Sequence, residues 1–118
     1  MNSEIKKLFG LVKPYLKKAN PDRLKHTLRV LKFAEEIAKR EKVNLKVIRF
    51  AVILHDIGKF KETKDKDHSL ISAELSKKIL NNFKFSDEEI KNILHCVLVH
   101  GLFKKGTAKT KEAEIIQD

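Results

Sequence analysis

The sequence predicts an all-α fold, a compact bundle of about six helices in one domain. Apolar residues recur at helical spacing almost from end to end of the 118 residues. Helix-start signals are legible at Asn20-Pro21, Asn44 and Ser86-Asp87-Glu88-Glu89. No segment alternates as a half-buried strand does, and a chain of this length forms one core rather than two.

The first segment, about Ser3 to Lys18, carries Ile5, Leu8, Phe9, Leu11, Val12, Tyr15 and Leu16 at helical spacing, with Pro14 expected to break or kink it. Asn20 as N-cap, Pro21 at the first helical position and Asp22 in the first turn open a second helix, running to about Glu41. Its expected inner face is Leu24, Leu28, Leu31, Ile37 and Ala38. Asn44 caps a third helix from Leu45 to about Ile57, with Gly58 expected as its left-handed terminator. The run Phe50-Ala51-Val52-Ile53-Leu54 is apolar on every side, which marks this helix as the central one.

A charged loop, Lys59 to Asp67, precedes a fourth helix from about Ser69 to Asn82. The Ser86–Glu89 capping box opens a fifth helix that reaches His100 and stops at Gly101. A basic loop from Phe103 to Lys109 follows, and Thr110 caps a short last helix ending at Asp118. The division expected is an accessory helix over 1–19 and a core over 20–118, together one domain over 1–118.

Composition narrows the function without naming it. The formal charge is +10, supplied mainly by Lys, and 36% of residues are charged. Such a field steers phosphate-bearing ligands, although lysines also simply keep a helical surface soluble. Richness in Lys, Glu and Ile fits a thermophilic origin. Cys96 is the only cysteine, which excludes an internal disulfide and predicts a reducing, cytoplasmic setting; its neighbours make it a buried structural thiol. No apolar run approaches the roughly 18 residues that span a bilayer, so no membrane partner is expected.

Chemistry concentrates in Leu54-His55-Asp56-Ile57-Gly58-Lys59. A carboxylate at the end of the most apolar helix is expensive to bury unless a cation compensates it, and the adjacent imidazole offers a second donor. Consecutive helical residues point about 100° apart, so the pair converges on one ion only where the helix ends. The alternative is that both residues merely cap carbonyls. His26 lies near the Leu24/Leu28/Leu31 stripe and could equally be a satisfied core histidine. His68 sits at the entrance of the fourth helix, where a plain loop residue would also fit. On the fifth helix His100 lies at the edge of the apolar arc Ile90, Ile93, Leu94, Val97, Leu98, whereas His95 projects toward the polar side. Helical geometry therefore prefers His100 as ligand or substrate contact.

These residues, in this order, resemble the HD superfamily of metal-dependent phosphohydrolases. His26 in His-Thr-Leu-Arg-Val matches the first His, His55-Asp56 the pair, and Asp118 in Glu-Ala-Glu-Ile-Ile-Gln-Asp the distal Asp. The resemblance covers about Asn20 to Asp118. It implies a first metal held by His26, His55, Asp56 and Asp118. His68 and His100, with His95 less favoured, match positions that hold a second metal or the scissile phosphate in some members. It also implies catalytic parts for Asp56, which can bridge two ions, and for His68, His100 and Lys59, although Lys59 can equally be an ordinary surface lysine.

His55-Asp56-Ile57-Gly58-Lys59 is written the same way in the HD-GYP-type phosphodiesterases, whose lysine tends to contact substrate phosphate; their Gly-Tyr-Pro signature is absent here. Family chains continue past the distal Asp and this sequence stops on it, so a longer parent chain or a ligand at a frayed end is expected. A mixed His/Asp set suits Mn, Fe, Co, Ni or Zn better than Mg, at one or two ions per chain. The implied activity is hydrolysis of a phosphoester, with a small phosphorylated substrate, foremost a nucleotide, as partner. The alternatives are an HD-type nuclease or nucleic-acid-binding module and a catalytically silent regulatory HD domain.

Overall fold

The computed structural model describes residues 2–64, 67–100 and 107–117. Their order is α1 (Ser3–Ala19), α2 (Arg23–Ala38), α3 (Leu45–Leu54), a 3₁₀ turn (Lys59–Lys61), α4 (His68–Leu80), α5 (Asp87–His100) and α6 (Lys111–Gln117), with no strand among the described residues. The all-α expectation holds.

Asn2 caps α1 by accepting the Ile5 N–H at 2.9 Å, and Ile5, Leu8, Val12 and Leu16 form its buried stripe. The helix does not break at Pro14, contrary to expectation. Pro14 and Gly10, whose carbonyl loses its partner, both lie on the exposed face, which leaves that carbonyl open to solvent. Burial of Val12 and Leu16 on either side of the proline holds both halves against the core.

Asn20 closes α1 and starts the next turn. Its Oδ1 accepts the Asp22 N–H at 2.8 Å and its carbonyl accepts the Arg23 N–H at 3.0 Å. Regular helix thus begins at Arg23 rather than Pro21 and ends at Ala38 rather than Glu41. The buried stripe of α2 is Thr27, Leu31, Ala34 and Ala38. Leu28 and Ile37, expected inside, are 41% and 44% exposed. Thr27 is fully buried in place of its larger neighbour, and two alanines let α2 lie close against the rest of the bundle.

α3 is buried all round, as its sequence requires, and packs against every other helix. Phe50 is clasped edge-on by Phe83 and Phe85, with ring centroids 5.0 and 4.8 Å away. The helix ends at Leu54, three residues before Ile57, and residues 55–58 form a turn. Gly58 is not left-handed: its φ is −89° and ψ −1°. What Gly58 supplies is clearance. A Cβ there would stand 2.6 Å from Ser72 N, 2.7 Å from Ile71 Cβ and 2.8 Å from His68 O. Its N–H donates to Ser72 Oγ at 2.8 Å, which pins the turn to α4.

Asp67, not foreseen as a cap, starts α4: its Oδ1 accepts the Ser69 N–H at 3.3 Å. The predicted caps of the last two helices are present, and Ser86 and Glu89 exchange reciprocal bonds of 3.1 Å. Thr110 Oγ1 accepts the Ala113 N–H at 3.1 Å at the start of α6. Glu112 fastens α6 to its neighbours: Oε2 accepts the Asn44 N–H and Oε1 the Asn92 side-chain amide, each at 2.9 Å. Cys96 is fully buried, as expected, and burial pushes its thiol up to about 12.

Burial opposes ionisation of Glu112, but the bonds from Asn44 and Asn92 outweigh it and hold the carboxyl below its ordinary value. A depressed native pKa stabilises the fold above the unfolded value, about 4.3, and that contribution is lost as pH falls through the native one. Glu112→Ala is expected to destabilise the protein by about 1–2 kcal/mol at pH 7. The deficit relative to wild type should shrink on acidification below about pH 4, read by urea unfolding across that range.

Candidate metal centre

Because α3 is enclosed on every side, the two residues that follow it emerge inside the protein. His55 is 1% and Asp56 3% exposed. His55 Nδ1 bonds to the Val52 carbonyl. A carbonyl oxygen only accepts, so Nδ1 carries the hydrogen and Nε2 of the neutral ring presents its lone pair. Nε2 has no hydrogen-bond partner among the described residues and faces Asp56 Oδ2 at 3.1 Å. Two acceptors at that separation call for a cation between them.

His26 Nε2, from the first turns of α2, lies 3.9 Å from the same oxygen. The donor atoms of His26, His55 and Asp56 all lie within 4.8 Å of one another. One proton can serve two of these atoms, whereas a metal ion serves three. Donors bound side by side to one ion at about 2.0–2.2 Å stand roughly 3 Å apart, close to the His55–Asp56 separation. The residues present fit a divalent cation.

Around this trio stand further groups. Arg23 Nη1 donates to Asp56 Oδ2 at 3.2 Å. His68 Nε2 approaches the other carboxylate oxygen, Oδ1, at 3.5 Å, so the two oxygens of Asp56 look toward different histidines. The His100 ring meets His55 edge to face with centroids 4.0 Å apart, and its Nδ1 is 3.4 Å from the Ile116 carbonyl of α6. Burial pulls the Asp56 carboxyl upward, but on acidification the imidazolium forms of His55 and His100, with the Arg23 guanidinium beside them, prevail and hold it well below the usual range. Burial, reinforced by His55, pushes His100 down to about 4. Burial and Arg23 lower His26. His26 and His100 are therefore neutral near pH 7, the form in which an imidazole ligates metal.

The structure thus brings together His26, His55, Asp56, His68 and His100. Asp118 lies outside the described residues. Lys59 opens the 3₁₀ turn next to Gly58 and lies close enough to Glu62 to lower its pKa, behind the larger effect of the Glu62–His68 bond. His95 is engaged elsewhere: its Nε2 accepts the Lys109 N–H at 2.9 Å, which ties the approach to α6 onto α5. His100 thus lies beside His55, and His95 does not.

Three neighbours of the site were not singled out from sequence. Arg23 had a signal, since it sits one turn before His26 on the same face of α2. Glu62 and Asp67, whose ligand atoms lie with that of His68 within 4.8 Å of one another, had none, because only loop closure brings them together.

An all-helical bundle whose buried His-Asp pair, second histidine and flanking imidazoles converge on one point defines a class of protein. The sequence pattern of the HD domain matches residues 23–118, and the chain belongs to that family. HD domains are in general metal-dependent phosphohydrolases that bind divalent metals. The chain is also 39% identical over 80 residues to a Clostridium beijerinckii protein described as an uncharacterized protein, a match covering 65% of this chain and 51% of the relative. The chain therefore spans about half the length of that relative. No solved structure matches it. No helix among the described residues is long and apolar enough to cross a membrane.

Proposed function

We propose that the chain hydrolyses a phosphoester, with a nucleotide or another small phosphate ester as substrate, using one or two divalent ions. The observation that carries this is the lone pair of His55 Nε2 set 3.1 Å from the buried Asp56 Oδ2 with no hydrogen to share. His26, His55 and Asp56 would hold the first ion, with Asp118 as the fourth ligand that family resemblance supplies. A bound divalent ion contributes an acidified water and polarisation of a phosphoryl oxygen. Its His/Asp donors favour Mn, Fe, Co, Ni or Zn over Mg.

The protein's own groups account for the rest. Asp56 stays ionised at neutral pH, and both of its oxygens are addressed by histidines, which suits it to bridge two ions. The His26 side chain is 43% exposed, so the centre opens to solvent along α2 and a small phosphate ester can enter there. His68 and His100 flank the Asp56–His55 pair, and with Lys59 on the adjoining 3₁₀ turn they would offset charge on the non-bridging oxygens. The formal charge of +10 raises the local concentration of any phosphorylated substrate.

The test is a panel of phosphomonoesters and phosphodiesters assayed with Mn, before and after chelation. Turnover of at least one small ester should appear with Mn and vanish on chelation. Turnover indifferent to chelation, or hydrolysis confined to polynucleotides with steep salt dependence, would contradict this reading.

A further inference from the structure

The ring of His68 is gripped from the side away from Asp56. Its Nδ1 lies 2.5 Å from Glu62 Oε2, and the same oxygen accepts the His68 backbone N–H at 3.4 Å. Asp67 Oδ1 is farther from Nδ1, at 3.3 Å, and already caps α4 through the Ser69 N–H. Ionised carboxylates only accept, so Nδ1 carries the hydrogen and the neutral ring keeps its lone pair on Nε2. That atom is the one 3.5 Å from Asp56 Oδ1.

His55 is arranged in the same way, with the Val52 carbonyl behind Nδ1 and Nε2 turned to Asp56 Oδ2. Each imidazole thus has an acceptor at its back and a lone pair toward one oxygen of the shared carboxylate. Glu62 is itself held, because it closes the 3₁₀ turn with its N–H on the Lys59 carbonyl at 3.1 Å.

We infer that Glu62 is a positioning residue: it fixes the His68 ring and its Nδ1–H tautomer, so that Nε2 is presented to the Oδ1 side of Asp56. Outer groups that orient a ligating histidine in this manner fix ligand geometry and raise basicity. The inference deepens the metal reading of the site and rests on it for its metal arm, whereas the tautomer stands on the hydrogen bonds alone.

Long-range proton–nitrogen NMR on the full chain at pH 8 reads the tautomer directly. Wild type and Glu62→Gln, whose amide oxygen still accepts, should show His68 protonated at Nδ1; Glu62→Ala should move most of the population to Nε2–H. Titration with Mn should be weaker by about 10–100-fold in Glu62→Ala and largely restored in Glu62→Gln. An unchanged tautomer in Glu62→Ala would assign the grip to Asp67 and overturn the inference. If wild type binds no Mn, the metal reading fails, and the tautomer comparison still decides the part played by Glu62.

Discussion

Asp56→Asn is expected to weaken divalent-metal binding by more than about 100-fold, and turnover with it. The bound follows from scale, since losing an outer group that merely orients a ligand costs about 10–100-fold and Asp56 touches the cation position itself. The substitution keeps the volume of a residue that is 3% exposed, so no cavity opens. An amide can donate to the bare Nε2 of His55, while Arg23 loses its acceptor at 3.2 Å; each change is worth about 1 kcal/mol and they oppose one another. Stability without metal should therefore change by no more than about 1–2 kcal/mol. Saturating Mn at about 100 times its dissociation constant should raise wild-type stability by about 2.7 kcal/mol, on the order of 10 °C in Tm, and leave Asp56→Asn unmoved. Differential scanning with and without Mn measures both halves.

Gly58→Ala is expected to destabilise the protein by about 1–3 kcal/mol and to disturb the site. Two effects compete here. Gly58 has right-handed backbone angles, so alanine restricts the unfolded chain and by itself stabilises by about 0.4–1 kcal/mol. Against that, the new methyl would stand 2.6–2.8 Å from Ser72 N, Ile71 Cβ and His68 O. Two of those atoms are backbone and cannot swing away, so α4 must shift, and overpacking of that kind typically costs 1–3 kcal/mol or somewhat more. The clash wins. The same shift strains the Gly58 N–H bond to Ser72 and carries His68 away from Asp56 Oδ1, so metal affinity should fall together with stability. Urea unfolding alongside Mn titration checks this; a variant as stable as wild type would show that α4 is not packed as closely as these distances state.

These effects trace how far the sequence could be read. Capping chemistry was legible because it is local: Asn44, Ser86 with Glu89, and Thr110 each bond as their spacing implies. The site was legible where it follows from one helix. His55 and Asp56 are interior because α3 is apolar all round, and the 100° step of α5 distinguishes His100 from His95. What depended on neighbours was misread. Leu28 and Ile37 are larger apolar residues than Thr27 and Ala34, yet α2 turns its small face inward so that it can lie close to the bundle. Pro14 was expected to interrupt α1, and the solvent behind Gly10 removes the penalty. Gly58 was expected to serve a left-handed turn, while its actual demand is space against a helix that begins ten residues later. Glu62 reaches His68 across a loop, and no periodicity in the sequence records that contact.

The most direct measurement is the metal content of the purified full chain beside that of Asp56→Asn, by elemental analysis after exhaustive dialysis against metal-free buffer. Wild type should retain at least one equivalent of a divalent transition metal per chain, lose it together with thermal stability on chelation, and recover both with Mn, while Asp56→Asn retains essentially none. Equal metal content in the two proteins, or a wild type that neither holds metal nor is stabilised by it, would contradict a cation between His55 and Asp56.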